Sequence, residues 1–237
     1  MTAKEISDRI LARLDDDAAS PASVAIDPNS LVPGEILAAI AEGQELASWL
    51  TLCLEKTVTL TLPAANTFSQ LRGTLGDYLV PLRIMGASGR IRPSTLAELD
   101  ALDASWQGTP GTPARYVALG FSFFAVSPQP ASDLDVQFTY AHAPAPIVGD
   151  AFMEIPEPYH IALIDYGIYR VKLKEGGQGL QRGMVYLNRY LDEMTKLGEW
   201  VRAKSRASRY DVLPFELALF DRAKLVDQIV KRGNSHA

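Results

Sequence analysis

The chain has 237 residues, of which 47% are hydrophobic and 22% charged, so it has the size of one large globular domain or of a helical part with a small β part. Its single cysteine, Cys53, excludes an intramolecular disulfide and a multi-cysteine metal site, and its three histidines have no familiar zinc spacing. The formal net charge of −5 combines 9 Lys and Arg against 17 Asp and Glu in residues 1–150 with 14 against 11 in residues 151–237. This acidic balance disfavours tight binding to nucleic acid as the main task.

No segment has the pattern of a signal peptide or of a transmembrane helix. The first 14 residues form a charged amphipathic stretch that lacks an apolar centre. The longest apolar run, Val117–Val126, has ten residues and is too short to cross a bilayer. We therefore expect no membrane partner.

Residues 1–56 are predicted to contain two helices. Ile6, Ile10 and Leu14 recur at helical spacing and mark the buried face of the first one. Residues 15–29 contain two prolines and are predicted to form a loop. The second helix starts at Ser30 or at Pro33 and runs to Leu54, with Gly43 as a weak point where a local bend can form.

Residues 57–150 are predicted to form a β-rich part inserted between helices. Thr57–Leu62 alternates polar and apolar residues and is rich in β-branched side chains, as is typical of a strand. A short helix with a capping-box pattern is predicted after Pro93. Further strands are predicted at Thr67–Arg72, Leu79–Met85, Tyr116–Val126 and Leu134–Tyr140. Because no βαβ alternation is evident, we expect a small antiparallel sheet.

Residues 151–208 are predicted to contain the two long C-terminal helices. The first extends from Tyr159 to Leu173, and a break follows at Gly176–Gly177. The second has one apolar stripe, formed by Leu180, Met184, Leu187, Leu191, Met194, Leu197 and Val201. The predicted fold class is α+β: a helical bundle from the N- and C-terminal helices, an inserted small antiparallel β part and an extended C-terminal arm.

Residues 209–237 are predicted to be this arm. Pro214 cannot donate a backbone hydrogen bond and disfavours helix at the residue before it, so the last helix is expected to stop earlier. Apolar side chains are rarely left in water, so this apolar segment is predicted either to fold back on its own domain or, as a docking arm, to insert into a neighbouring molecule. The predicted docking residues are Leu213, Phe215, Leu217, Leu219 and Phe220.

A basic stripe is predicted on the last long helix. Arg182, Arg189 and Lys196 recur every seven residues, opposite the apolar stripe. Such a pattern most often indicates a solvated face. The alternative is contact with an acidic partner or with the phosphates of passing DNA, because the positive excess is confined to the C-terminal part.

No pattern of residues predicts catalysis, a cofactor or a metal ion. His142 and His160 have carboxylates within the same region of sequence but no Ser or Cys nucleophile motif beside them. The glycines between residues 73 and 89 match no phosphate-binding motif and are expected in turns. Cys53 lies among apolar helical residues and is expected to be a small buried side chain.

A fixed order of motifs runs from Arg90 to Arg206. The motif residues are Leu99–Asp100, Trp106, Gly111–Pro113, Tyr116, the turn Pro128–Pro130, a strand ending at Tyr140, and Pro156, Tyr159, Ala162 and Leu163 at the opening of a helix. This order resembles the head-to-tail adaptor, or connector, proteins of tailed bacteriophages, and those of podophages in particular. The resemblance covers residues 31–206 and consists of hydrophobic and turn positions.

The resemblance implies a structural virion protein without enzymatic activity. Such adaptors form a ring, usually of twelve copies, beneath the portal and join the capsid to the next tail component, a nozzle or a tail tube. The implied partners are further copies of the chain, the portal, that tail component and, during genome ejection, DNA that passes without sequence-specific contact. The arm would reach the portal, and the expected location is the head–tail junction of the virion, after synthesis in the host cytoplasm.

The residues leave two alternatives to an adaptor open. One is a small enzyme or ligand-binding protein with a site in the β part. The other is a simpler scaffold or capsid-associated viral protein.

Overall fold

The computed structural model describes residues 1–18, 33–71, 73–120, 122–174 and 177–214. These residues form two compact units. The first unit is drawn from Met1–Thr51 and Pro146–Val201, together with Pro214. The second is drawn from Leu52–Ala145 and Arg202–Leu213. The chain therefore combines helices and a sheet, which confirms the mixed α+β class.

The predicted helices at both ends of the chain are present. The helices of the described residues are α1 (Ala3–Ala18), α2 (Pro33–Thr51), α3 (Leu96–Leu102), α4 (His160–Lys174) and α5 (Gly177–Ala207), and a 3-10 turn at Glu157–Tyr159 leads into α4. The second helix was expected to reach Leu54 but ends at Thr51. The reason is local, because Leu52 adopts a left-handed backbone conformation (φ 52°) that stops the helical hydrogen bonding.

In the first unit, α1, α2 and α4 pack on one another. The predicted apolar face of α1 is buried, with Ile6 and Ile10 fully inaccessible. Ile10 packs against Gly167 of α4, where an added Cβ would lie only 2.3 Å from the Ile10 Cδ1 atom. At the edge of this contact, Arg13 forms a 3.0 Å ion pair with Asp165 of α4.

Gly43 is the closest point of approach between α2 and α4. A Cβ at this position would lie 2.8 Å from Cδ1 and 3.3 Å from Cβ of Tyr166. The Tyr190 hydroxyl of α5 donates a 2.7 Å hydrogen bond to the Gly43 carbonyl, and the rings of Tyr166 and Tyr190 are 4.9 Å apart. Helix α2 continues through this position. The glycine therefore permits close packing of three helices and does not interrupt the helix.

The second unit contains the strands. They are β1 (Glu55–Leu62), β2 (Phe68–Gln70), β3 (Tyr78–Gly86), β4 (Gly89–Pro93), β5 (Pro110–Gly111), β6 (Arg115–Leu119), β7 (Phe123–Ser127), β8 (Gln129–Pro130) and β9 (Leu134–His142). Seven of them form one curled sheet in the order β1-β9-β3-β4-β6-β7-β2, and β5 pairs with β8. Along its full length, β1 pairs with β9, from Glu55 opposite Ala141 to Leu62 opposite Leu134.

The seven-stranded sheet is mostly antiparallel, as expected, but the β part also contains two parallel pairs that were not predicted. Strands β4 and β6 run parallel, with Arg92 opposite Arg115, and the two-residue strands β5 and β8 are also parallel. The physical reason is the crossover between β4 and β6: α3 and the turn after it carry the chain back, so that β6 starts in the same direction as β4. The predicted capping box of α3 is confirmed, with Thr95 and Glu98 bonding each other's backbone N–H groups.

The core of the second unit is a cluster of side chains on one face of the sheet. Its buried residues are Leu62, Leu71, Tyr78, Ile84, Ile91, Tyr116, Phe124, Val126, Val136, Phe138 and Tyr140. A smaller cluster on the other face joins Leu99 of α3 to Trp106, Val117 and Ala125. The buried Trp106 donates from Nε1 to Asp100 at 2.8 Å, so this indole closes the α3 crossover over the sheet.

We expect Gly43→Ala to destabilise the first unit by about 1–3 kcal/mol, because overpacking against Tyr166 outweighs the gain in helix propensity. Gly34→Ala is the matched control on the same helix, since a Cβ there has no atom within 4 Å. It should be neutral or slightly stabilising. Thermal or urea unfolding of both variants measures the difference, and equal stabilities would show that α2 and α4 are not closely packed at Gly43.

Candidate functional site

The segment after α5 is held on the sheet by Asp211. The side chain of Asp211 is only 1% exposed and forms an ion pair with the Arg90 guanidinium of β4. The Tyr116 hydroxyl of β6 donates a 2.9 Å hydrogen bond to the same carboxylate. The backbone N–H of Asp211 donates to the Leu82 carbonyl of β3 at 2.7 Å. Through its carboxylate and its backbone N–H, Asp211 therefore ties the chain to three strands, and we call this set of contacts the Asp211 anchor.

The Tyr116 hydroxyl carries its proton near neutral pH, as tyrosines ordinarily do, and therefore donates to Asp211. Burial raises the pKa of the Tyr116 phenol further, to about 12, although the Arg90 charge opposes the shift. A buried carboxylate needs such partners, because an unpaired buried charge is strongly unfavourable.

A second set of contacts lies beside the anchor, around Glu55 at the start of β1. The Glu55 carboxylate accepts a 2.9 Å hydrogen bond from the Tyr210 hydroxyl and forms an ion pair with Lys204. The Arg83 guanidinium lies 6.0 Å from the centre of the Tyr210 ring. Tyr210 and Val212 also pack on a buried cluster that consists of Leu52, Leu79, Leu82 and Ala141.

Of the predicted arm, residues 209–237, the structure describes only residues 209–214. Helix α5 ends at Ala207, before Pro214 as expected. Leu213 is 37% exposed, and Pro214 is buried. The other predicted docking residues, Phe215, Leu217, Leu219 and Phe220, lie outside the described residues. The docking role of the arm stays a prediction.

The predicted basic stripe lies on α5 within the first unit. Arg189 and Lys196 are exposed, and Arg182 is half-buried. The Arg189 guanidinium lies 5.4 Å from the centre of the Tyr186 ring. Lys196 forms a 2.6 Å ion pair with Glu193, and this hydrogen bond raises the pKa of Lys196. The stripe therefore carries positive charge that is partly balanced by an acidic neighbour.

Arg189 also acts on a buried carboxylate of α4. Burial raises the pKa of Asp165, while the charges of Arg13 and Arg189 oppose this shift. Replacing Arg189 with an acidic residue would therefore disfavour the ionised form of Asp165. A neutral replacement is the cleaner probe of the stripe.

The two histidines considered as catalytic candidates, His142 and His160, form hydrogen bonds of the kind that hold a fold together. Both ring nitrogens of the buried His160 are used: Nδ1 accepts from the Met1 amine at 2.8 Å, and Nε2 donates to the Ile155 carbonyl at 2.7 Å. Burial lowers the pKa of His160 and favours the neutral ring. Nδ1 of His142 donates to the Ala143 carbonyl at 2.8 Å. Cys53 was expected to be buried and is only half-buried.

The described ranges of the chain contain no group of three or more His, Cys, Asp or Glu side chains arranged to hold a metal ion. They also contain no helix that is both long and apolar enough to span a membrane.

The Asp211 anchor could not be found from the sequence. Arg90 and Tyr116 belong to the ordered motif region, but Asp211 lies 95 residues beyond Tyr116. The one sign of the anchor in the sequence was a lone acidic residue, Asp211, immediately before the apolar run that begins at Val212. Such a charge next to apolar residues needs a partner when it is buried, but the sequence does not say which.

A family model described as SU10 adaptor protein matches residues 1–213. The matched range includes Asp211 and its strand partners. No curated protein matches the chain. The family match confirms the resemblance to phage head-to-tail adaptor proteins.

We expect Asp211→Ala to destabilise the second unit by about 3 kcal/mol, the lower end of the range for a broken buried pair, since Arg90 is partly exposed. Tyr116→Phe removes one hydrogen bond to the same carboxylate and should cost about 1.5 kcal/mol. Urea unfolding measures both variants. Equal, negligible effects would mean that the segment after α5 does not depend on this carboxylate.

Proposed function

The chain belongs to the SU10 adaptor protein family of phage structural proteins, and we propose that its copies form a ring between the portal and the next tail component. The match over residues 1–213 carries this proposal. The proposed ring has twelve copies, in line with the adaptors that the chain resembles. It joins the capsid to a nozzle or tail tube and leaves a central passage for DNA during ejection.

The anchor at Asp211 supports the role of the following residues as an arm. An arm that binds a partner must be attached to its own subunit, and the buried ion pair between Asp211 and Arg90 provides this attachment. Beyond the anchor, the exposed Leu213 is the first of the apolar side chains proposed to dock on the portal. Full burial of one Leu or Phe contributes about 1.5–3 kcal/mol, so a few such side chains would hold each copy.

The basic stripe on α5 supports a passage for DNA. A strongly positive surface would hold DNA through many released counterions and oppose its movement. Here the Glu193 carboxylate is paired with Lys196, and its negative charge moderates the positive field of the stripe. We propose that this face lines the channel, where a moderate field attracts DNA without retaining it.

We expect the full-length chain to assemble on purified portal rings as a complex with a fixed number of copies. A chain truncated after Pro214 should keep its thermal stability, because the Asp211 contacts remain, and should bind the portal much more weakly. Native mass measurement of each protein with and without portal is the test. The cut is placed after Pro214 because an earlier cut would remove Asp211 and confuse folding with docking.

Two results of this experiment would contradict the proposal. A full-length chain that stays monomeric in the presence of portal rings would overturn the adaptor assignment at the portal. A truncated chain that binds the portal as tightly as the full-length chain would overturn only the docking arm.

We expect the triple variant Arg182→Gln, Arg189→Gln and Lys196→Gln to form rings with only a small loss of stability. Exposed substitutions such as those at Arg189 and Lys196 typically change stability by no more than about 0.5 kcal/mol each, and the half-buried Arg182 and the Arg189 charge near Asp165 are expected to account for any further loss. Genome delivery should fall, because the channel loses its positive charge. The matched control neutralises three exposed basic residues elsewhere, Lys4, Arg9 and Arg115. Equal infectivity of both triple variants would identify the stripe as an ordinary solvated face.

A further inference from the structure

Strand β1 forms one end of the seven-stranded sheet, and its outer edge is open. It pairs with β9 over all eight of its residues, from Glu55 to Leu62. Among the described residues, no backbone hydrogen bond joins β1 to any other strand. The opposite end of the sheet differs, because β2 has only the three residues Phe68–Gln70, and a very short edge strand is a poor template for pairing. The long β1 edge is therefore the one to which a further strand can be added.

The hydrogen bonds to β9 show which groups of β1 point away from it. The register continues to Leu54 opposite His142, and the His142 N–H donates to the Leu54 carbonyl at 3.0 Å. Hydrogen-bonded pairs alternate along an antiparallel ladder with pairs whose side chains lie closer together. The hydroxyls of Thr57 and Thr139, which belong to the second kind of pair, are 3.0 Å apart. The residues whose N–H and C=O groups point to the open edge are Glu55, Thr57, Thr59 and Thr61.

This edge lacks the features that usually protect an edge strand. It contains no proline, and its register with β9 runs without a bulge. Its two charged residues stand at its beginning and have partners in the same chain. Glu55 pairs with Lys204, and Lys56 pairs with Asp77 at 3.0 Å. The remaining stretch, Thr57–Leu62, carries no charge, so nothing in it repels a further strand.

The sequence of the edge is complementary to a second copy of itself. Its exposed threonines alternate with the half-buried Val58 and Leu60. When two β1 edges meet antiparallel with Thr59 opposite Thr59, Thr57 lies opposite Thr61 and Val58 lies opposite Leu60. The three threonines are then the hydrogen-bonded residues of the new pair, and their backbone groups are the ones that point outward. Val58 and Leu60 pack on the core of the second unit, and their counterparts would cover them further.

We propose that free copies of this chain pair through β1, in the antiparallel register centred on Thr59. The contact joins one surface to the same surface of a second copy, so it has two-fold symmetry and ends at two copies. It therefore goes beyond the proposed ring, whose neighbours are related by rotation about the ring axis, and concerns the chain before it joins the portal. Pairing covers an edge that would otherwise be open to strands of other proteins.

The first test changes the charge at the centre of the pairing. In Thr59→Lys two lysines would face each other, and in Thr59→Glu two glutamates, so each variant should dimerise about fivefold more weakly than the wild type. An equimolar mixture should form mixed dimers, because opposite charges then meet. Sedimentation equilibrium of the chain without portal measures the dissociation constants. The matched control is Gln137→Lys, an exposed position opposite Thr59 on β9, which has strand neighbours on both sides.

The second test removes a backbone donor from the open edge. Thr59→Pro deletes an N–H that does not bond to β9, so urea unfolding should show a retained fold. Each pair of copies would lose two hydrogen bonds, one from each copy, and the dissociation constant of the dimer should rise about 5- to 150-fold.

The third test locates the contact by cross-linking. In a Cys53→Ser background, Thr59→Cys treated with a short bismaleimide should give a covalent dimer and no larger product, because two-fold pairing places the two cysteines opposite each other. Gln137→Cys in the same background should give little dimer, since its position is separated from the second copy by β1.

The outcomes separate this inference from the adaptor function, because these tests use the chain alone and ring assembly is measured with portal. A wild-type chain that stays monomeric would overturn the pairing, as would dimers that the Thr59 variants leave unchanged. Lysine and glutamate variants that stay monomeric when mixed would also overturn it. A monomeric wild type together with a Thr59→Pro variant that fails to assemble on the portal would assign the edge to a strand of another virion protein, again against pairing between copies.

Discussion

The buried carboxylate of Asp211 determines where the C-terminal segment begins. Asp211 follows α5 in the chain, yet its partners, Arg90 and Tyr116, lie on two strands more than 90 residues earlier. Because a buried charge without partners is costly, the segment has few alternative positions once the sheet has formed. The ordered motif region therefore also supplies the attachment point for the described segment that follows α5.

The molecule presents its functional features as surfaces. In the first unit, the basic face belongs to α5, which packs against Gly43 of α2, and the exposed Phe152 lies on a segment that pairs with Thr2. In the second unit, the anchored segment around Asp211 ends in the exposed Leu213. These features suit a structural subunit that contacts several partners at once. Rigid packing beneath them matters because a loosely held surface would lose more entropy on assembly.

Local patterns predicted much of the fold. Helix spacing located α1, α2, α4 and α5, polar–apolar alternation located β1, and the capping box of α3 was recognised from four residues. Each depends on neighbours within a turn or a strand. The parallel pairing of β4 with β6 was missed, because the direction of a strand depends on its crossover and not on its own residues.

The candidate site was harder to predict from the sequence, because several of its contacts join residues that are far apart along the chain. The basic stripe and the pairing of Lys196 with Glu193 follow from spacing within α5, but the link of Arg189 to Asp165 depends on packing between helices. The exposure of Phe152 could not be predicted from the sequence, where an aromatic residue is first assumed to be buried.

Electron cryo-microscopy of the head–tail junction in intact virions is the most direct test of the proposed adaptor role. We expect a ring of this chain between the portal and the tail, and a reconstruction of that junction without the chain would contradict the proposed role.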